Sequence, residues 1–187
     1  NGLSEIYTYG FVSEKDLEQS NISDELKKYA ITIQNPLSEE YKMMRPSTIP
    51  SMMQILALNA NKKNQNVRLF DISRNYRNIN NEVEQGEVPI QENILTIGMC
   101  GENIDFYTLK GLIENVLELS GVNRYEIEKE TANASYHPGR CANIKVGIDT
   151  VATIGEVHPE VLENYKIEKR AYLAEVNITK LVKYSKS

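Results

Sequence analysis

The sequence predicts a single α+β domain built on an antiparallel sheet flanked by helices. Strand-like segments follow one another through short connections, and helical segments do not alternate with them regularly, as they do in parallel doubly wound folds. The chain has 187 residues. A chain of that length can hide about two thirds of its unfolded surface in one core, without a metal or disulfide for support. Residues 1–187 are therefore treated as one domain.

Helices are predicted from capping residues and from apolar residues that recur every three or four positions. Ser13 and Ser23 each precede a short helical segment. Ser47 or Thr48 precedes the first long apolar stripe, and Asp105 precedes the second. The predicted helices cover 14–19, 24–28, about 49–63, 106–120 and 159–165.

Strands are predicted where apolar and polar residues alternate, or where a short apolar run is bounded by turn residues. In the segment 67–76, Val67, Leu69 and Asp71 share one face. The following residues 78–91 are polar and acidic, which predicts a loop. The predicted strands cover 5–13, 30–34, 67–76, 94–100, 125–129 and 171–177, with a strand–turn–strand hairpin over 144–154.

The charge balance argues against an extended nucleic-acid surface. The formal net charge is -5 and the pI is about 5.2, whereas phosphate neutralisation requires clustered Lys and Arg. Two local basic clusters are interpreted as solvated faces. They consist of Lys62, Lys63 and Arg68, and of Lys166, Lys169 and Arg170.

Neither a membrane-spanning apolar run nor a signal peptide is present in the sequence, which predicts no membrane partner and a cytoplasmic location. The cysteines are Cys100 and Cys141, a number typical of a reducing compartment. Together with His137 and His158 they lack the ligand spacing of zinc sites. We therefore predict buried thiols and structural histidines, and no metal site.

The most specific pattern is a pair of His-Pro elements that bracket the hairpin, in residues 136–140 and 155–162. In each element the histidine precedes a proline at a turn or a helix start. We expect both histidines to hydrogen-bond nearby backbone, because a catalytic histidine also needs an orienting partner that the sequence does not show. Glu156 and Glu160 flank the helix start, where a carboxylate interacts favourably with the helix dipole.

Six short motifs in order resemble the beta chain of bacterial phenylalanyl-tRNA synthetases, in its catalytic-like module. Single motifs of this kind are weak, but their common order along the whole chain is specific. They are 2–5 with 9–13; 35–40 with Arg45, Ser47, Pro50 and Asn59; 70–72 with Arg74 and Tyr76; Phe106 with 109–111; and the two His-Pro elements. Ser73 departs from the family's glycine after Phe-Asp-Ile, and Pro46 departs after Arg45.

The resemblance implies the class II synthetase fold in a non-catalytic copy. It also implies a supporting role beside the catalytic alpha chain in an alpha2beta2 heterotetramer. The complete enzyme would use ATP and magnesium to attach phenylalanine to tRNA, its further partner. No cofactor is expected within these residues themselves. Because the first residue is Asn1 and not Met, we expect a fragment of a longer chain.

Catalytic residues are not expected in this copy. Amino-acid activation develops charge on a phosphate, which cations and magnesium ligands must stabilise. By resemblance, the superfamily places an arginine and an acid on paired strands, and a second arginine on a helix after a glycine-rich strand. Here Arg74 lies on the predicted strand 67–76 and Arg77 directly follows it. Residues 95–99 carry no carboxylate, however, and residues 171–177 carry no glycine. We expect both arginines to form salt bridges at the end of the sheet.

Two other functions remain open at this stage. The first is an RNA-binding module that contacts tRNA, and the second is a small active ATP-dependent ligase. Salt-dependent tRNA affinity would distinguish the first, and ATP–pyrophosphate exchange would distinguish the second.

Overall fold

A computed structural model describes residues 2–60, 62, 66–79 and 88–185. Ten strands and six α-helices lie in these residues. The strands are β1 Ser4–Glu5, β2 Phe11–Val12, β3 Ile31–Thr32, β4 Met43–Met44, β5 Asn66–Arg77, β6 Ile90–Gly101, β7 Glu126–Lys129, β8 Tyr136–Val146, β9 Asp149–Val157 and β10 Ala171–Asn177. The helices are α1 Glu14–Gln19, α2 Asp24–Lys28, α3 Ile49–Ala60, α4 Phe106–Leu119, α5 Pro159–Asn164 and α6 Ile178–Leu181.

The central sheet has seven strands in the order β1-β5-β6-β10-β9-β8-β7. Every neighbouring pair is antiparallel except β1 with β5, which is parallel. A smaller sheet contains β2, β4 and β3, with β4 in the middle. The predicted α+β class is confirmed, and the structure adds one parallel pair at the edge of the antiparallel sheet.

Helices cover both faces of the central sheet. On one face α3 places Met52, Met53 and Leu56 in the core, all at most 1% exposed. On the other face α4 places Leu109, Ile113 and Leu117 in the core, each 0% exposed. The two faces are called the α3 face and the α4 face below. The apolar stripes predicted for the two long helices are confirmed at these positions.

Most of the predicted caps are confirmed. The side chains of Ser13, Ser23 and Asp105 accept backbone N–H groups of Asp16, Leu26 and Thr108, respectively. At the start of α3, Ser47 Oγ accepts the N–H of Ile49 at 3.2 Å, while Thr48 contributes its backbone carbonyl to Met52. The predicted end of α3 near Lys63 lies outside the described residues, as does Lys63 itself.

Several predicted boundaries are wrong. The single strand predicted over 5–13 is divided into β1 and β2, which pair in different sheets. The strand predicted over 30–34 is only β3, two residues long. The loop predicted over 78–91 ends early, because β6 begins at Ile90; residues 80–87 lie outside the described part. Neither β4 nor α6 was predicted.

The predicted hairpin is confirmed and is longer than expected. Gly147 and Ile148 connect β8 to β9, and Gly147 has a φ of +60°, a conformation that glycine adopts without strain. The first His-Pro element belongs to β8, where the pairing with β9 is irregular between Tyr136 and Cys141. In the described part of the chain, none of the helices is long and apolar enough to cross a membrane.

Candidate functional site

A row of polar side chains crosses the α3 face of the central sheet. Asp71, Thr96, Glu175, Thr153 and Asn143 are successive partners on β5, β6, β10, β9 and β8. Residues paired directly across neighbouring strands lie on the same face, so these side chains form a continuous band. Helix α3 covers the sheet on one side of this band, and a groove opens on the other.

Two adjoining cavities form the groove. Their volumes are about 320 Å³ and about 300 Å³. Leu26, Ser47, Asn133 and Glu175 line both of them. Because it lies in both linings, Glu175 is the central ionisable group of the groove.

Asp71, at one end of the band, belongs to a structural network with Arg45. The Arg45 guanidinium, in a residue only 2% exposed, donates to Thr8 Oγ1 at 2.6 Å and to the Arg74 carbonyl at 2.9 Å. Asp71 accepts from Thr8 at 2.6 Å and from Ser73 at 2.7 Å. Burial lowers the pKa of Arg45, and the nearby Asp71 carboxylate opposes that shift. Arg45 is therefore committed to joining β4 to β5.

Glu175 is joined to the first His-Pro element through Tyr136. The Tyr136 hydroxyl donates to Glu175 Oε2 at 2.8 Å. Burial raises the pKa of Glu175, and the hydrogen bond from Tyr136 opposes that shift. Burial and the neighbouring carboxylate also raise the pKa of Tyr136 well above its ordinary value. The pair therefore gives the floor of the groove a carboxyl group that holds its proton more strongly than an exposed glutamate does.

An ion pair lies at the open end of the groove. Arg77 Nε is 3.5 Å from Glu92 Oε1, and Asn177 Nδ2 donates to Glu92 Oε2 at 2.7 Å. Lys180, from the first turn of α6, lines the same cavity. Asn75 Oδ1, another lining atom, is buried without a hydrogen-bond partner among the described residues. Two cations and two carboxyl groups thus line this cavity, and one of the cations, Arg77, is already paired with the Glu92 carboxylate.

These positions correct part of the sequence argument. Arg77 forms the predicted ion pair, but Arg74 donates to Gln91 Oε1 at 3.2 Å and so makes a neutral contact instead. The paired strand does carry a carboxylate, Glu92, which lies before the segment 95–99 because β6 starts at Ile90. A helix-borne cation, Lys180, also follows β10.

The two histidines contact local backbone, as predicted. His137 Nδ1 accepts the N–H of Gly139 at 3.0 Å, and His158 Nδ1 accepts the N–H of Glu160 at 3.1 Å. His158 is the N-cap of α5, and Pro159 occupies the first helical position. Each histidine therefore fixes the backbone shape of its own element.

The role predicted for Glu156 is wrong, whereas Glu160 lies in the first turn of α5 as expected. Glu156 belongs to β9, where its side chain is 5% exposed and contacts two arginines. Arg140 Nη1 lies 2.6 Å from its carboxylate and Arg170 Nε lies 3.3 Å away. In the second basic cluster, Arg170 is thus ion-paired, and Lys169 lies 3.6 Å from a carboxylate oxygen of Glu102.

Cys100 and Cys141 are buried free thiols in the core of the α3 face, as predicted. Burial raises the pKa of both, that of Cys141 to about 12. Among the described residues, no group of three or more His, Cys, Asp or Glu side chains is arranged to hold a metal ion.

Three residues of the groove were not predicted from the sequence: Glu92, Glu175 and Lys180. A signal existed for Lys180, since Asn177 is a helix-capping residue and its side chain accepts the N–H of Lys180 at 2.9 Å. Glu175 alternates with buried residues along β10, which is typical of a side chain on a covered face. Glu92 lies in a polar stretch, and only its pairing with Asn75 shows that this stretch is a strand.

Comparison with known proteins gives the family. A sequence profile described as "Phenylalanyl tRNA synthetase beta chain CLM domain" matches residues 1–178. The chain belongs to this family. It is 40% identical over 183 residues to the phenylalanine–tRNA ligase beta subunit of Clostridium acetobutylicum, covering 97% of this chain and 23% of that protein. It is 36% identical over 184 residues to the corresponding subunit of Clostridium tetani, covering 98% and 23%.

The chain thus spans about a quarter of the length of these relatives. Among solved structures, pyrrolysyl-tRNA synthetase from Desulfitobacterium hafniense superposes with a TM-score of 0.75 at 17% identity, covering 97% of this chain and 62% of that one. The predicted class II synthetase-like fold is therefore confirmed.

Proposed function

We propose that this CLM domain is a non-catalytic structural module of a phenylalanine–tRNA ligase beta subunit. In this role it supports a catalytic alpha subunit in an alpha2beta2 heterotetramer, which charges tRNA with phenylalanine in the cytoplasm. ATP and magnesium would serve as cofactors of the complete enzyme, and neither would bind in the groove at Glu175. The relatives named above support the family part of the proposal, and the groove supports the non-catalytic part.

The ion pair between Arg77 and Glu92 carries the proposal. A nucleotide site must present cations to the phosphates and carboxylates to magnesium. Here the guanidinium lies 3.5 Å from the carboxylate, and Asn177 holds that carboxylate from the other side. Glu175 adds a further carboxyl group to the floor. A triphosphate placed in this groove would therefore meet a guanidinium that already has a carboxylate partner.

The surface around β1 and β2 supports the packing role. Tyr7 and Tyr9 are 83% and 78% exposed, and Leu58 is 62% exposed. With Phe11 and Tyr41 they line a shallow cavity of about 500 Å³ at the edge of the central sheet. Exposed apolar side chains grouped in this way are typical of protein–protein contacts. We call these five residues the aromatic patch, and we propose it as the surface that contacts the alpha chain.

ATP–pyrophosphate exchange in the complete ligase tests the non-catalytic role. We expect Arg77→Gln, Glu92→Gln and Lys180→Gln in the beta subunit to change the exchange rate less than about twofold, because none of these groups would touch the reacting phosphate. Loss of one charge from a working site typically slows catalysis about a hundredfold or more. Lys183→Gln is the charge-matched control, since Lys183 is exposed and pairs with Asp149.

Two results would contradict the proposal. One is a hundredfold loss of exchange in a groove variant whose thermal unfolding matches that of Lys183→Gln. The other is exchange catalysed by the purified beta subunit without an alpha subunit, which would favour the small active ligase instead.

A further inference from the structure

A second groove lies on the α4 face, beside the start of α4. Its volume is about 570 Å³. Three cations and two carboxylates are among its lining residues, together with aromatic and aliphatic side chains. Neither the ion pair of Arg77 nor the aromatic patch contributes to it, so the inference below does not rest on the function proposed above.

Two arginines in this groove are held side by side by one carboxylate. Arg140, from β8, and Arg170, which precedes β10, contact different oxygens of Glu156 at 2.6 Å and 3.3 Å. The carboxylate is 5% exposed, whereas the arginine side chains are 46% and 67% exposed. Glu156 thus holds the two guanidiniums close together, and Arg170 also hydrogen-bonds Tyr172. A guanidinium has five N–H donors, so each arginine keeps donors that these contacts do not use.

The charges around this pair leave an excess of positive charge. Glu156 neutralises one of the two guanidiniums, and the other charged residues of the lining are Lys129 and Asp105. Asp105 is engaged as the cap of α4, where both the N–H and the hydroxyl of Thr108 donate to it. A pair of pre-positioned guanidiniums with spare donors matches the oxygen geometry of a phosphoryl group.

The walls of the groove add flat apolar surface. The Tyr107 side chain is 76% exposed, and its ring lies edge-on to Phe106 with centroids 6.0 Å apart. Ile127, on the strand β7, is 44% exposed in the same lining. An exposed tyrosine beside arginines is the combination that stacks a nucleic-acid base while its phosphate is bound. An acidic peptide would use the arginines but not the ring face.

We propose that this groove binds a nucleotide through its phosphoryl group, with Arg140 and Arg170 on the phosphate and Tyr107 against the base. The same chemistry is offered by a free nucleoside monophosphate and by single-stranded RNA. The overall charge of -5 favours a local contact, because binding along an extended phosphate backbone requires clustered Lys and Arg.

Equilibrium binding to the full-length beta subunit, purified with the chain that accompanies it, tests this site. The probes are AMP, adenosine, a labelled five-nucleotide oligoadenylate and a hexaglutamate peptide. We expect Arg170→Gln to weaken oligoadenylate binding about tenfold, and to lower the salt-dependence slope by about one. Tyr107→Leu should weaken it about fivefold or more, through lost stacking.

The control side chains are about as exposed as the groove side chains that they are compared with. Lys183→Gln removes a cation that is 60% exposed and does not line the groove, and Leu119→Ala removes an apolar side chain that is 88% exposed at the other end of α4. Both should bind like the wild type. The complete enzyme is expected to bind nucleotide at another site as well. The measured quantity is therefore the number of nucleotides bound per beta chain, compared between the wild type and each groove variant.

The outcomes separate the sources of the phosphate. Loss of AMP binding alone identifies a free nucleotide as the ligand, and loss of oligoadenylate binding identifies RNA. The proposal is overturned if the wild type binds neither AMP nor oligoadenylate, or if Lys183→Gln weakens binding as much as Arg170→Gln. It is also overturned if adenosine binds as well as AMP, or if hexaglutamate binds more tightly than oligoadenylate.

Discussion

Glu175 shows how the position of a single side chain defines the groove. It lies opposite Thr96 on one side and Thr153 on the other, and among the described residues its side chain accepts a hydrogen bond from Tyr136. Burial raises its pKa above the ordinary value of 4.5. The folded protein therefore keeps this proton at a pH where the unfolded chain has released it. Between 4.5 and the raised pKa, the free energy of unfolding consequently falls as the pH rises.

Glu175→Gln should remove this pH dependence. Glutamine keeps an acceptor for Tyr136 and carries no charge at any pH, so the variant should gain stability relative to the wild type as the pH rises from 4 to about 8. The measurement is chemical denaturation of both proteins across this range. Glu163→Gln, the same substitution at an exposed position on α5, is the matched control. A difference between wild type and Glu175→Gln that does not change with pH would refute the assignment.

Residues whose roles depend on distant partners were the ones that sequence reasoning misplaced. Glu156 stands two residues before His158, so proximity in sequence favoured a helix-dipole role. In the structure it contacts Arg140, sixteen residues away in sequence, and Arg170. His137, His158 and the capping serines were placed correctly, because each of their partners lies within three residues in sequence.

The approach of α3 to the sheet depends on Gly98 of β6. A Cβ atom at this position would lie 2.7 Å from both Cγ and Sδ of Met52, and 3.0 Å from Leu56 Cδ1. Met52 and Leu56 are essentially fully buried, so their side chains have little room to move. The helix can lie this close only because residue 98 has no side chain.

Gly98→Ala should therefore destabilise the protein by about 1–3 kcal/mol, the usual effect of overpacking a core. Gly111→Ala is the matched control, because a Cβ there meets no atom within 4 Å and the residue lies inside α4. That change should stabilise by about 0.5–1 kcal/mol, since alanine favours a helix over glycine. Urea denaturation measures both. Two alanine variants that shift stability in the same direction would contradict this account of the interface.

Among the helices and strands, the amphipathic segments and the helix caps could be predicted from the sequence. The polar end of the strand pair β5 and β6 could not. The paired strands β5 and β6 continue to Arg77 and Ile90. Their ends are stabilised by contacts between the strands, such as Arg77 with Glu92 and Arg74 with Gln91. Contacts between polar side chains of two strands leave no apolar pattern in the sequence. The polar and acidic residues 78–91 therefore predicted a loop. Because this boundary was placed too late, Glu92 was not recognised as a strand residue of the groove.

At the scale of the whole molecule, three surfaces are distributed over different parts of one sheet. The groove at Glu175 lies on the α3 face, the arginine pair lies on the α4 face, and the aromatic patch lies at the edge beside β1. The network of Arg45 connects that edge to the sheet, because Arg45 donates to Thr8 and to the Tyr9 carbonyl. The backbone of the patch is thus held in place from inside while its aromatic rings stay exposed.

The proposed contact of the aromatic patch with the alpha chain predicts that a charge in the patch weakens assembly without unfolding the domain. Tyr9→Asp in the complete beta subunit replaces a side chain that is 78% exposed, so thermal unfolding of the isolated subunit should change little. Association with the alpha chain should weaken about tenfold or more, because a carboxylate buried in an interface loses its water without gaining a partner. Leu119→Asp, at a position on α4 that is 88% exposed, should assemble normally. Sedimentation of the mixed subunits measures both variants. Normal assembly of Tyr9→Asp, or equal failure of Leu119→Asp, would show that the alpha chain contacts a different surface.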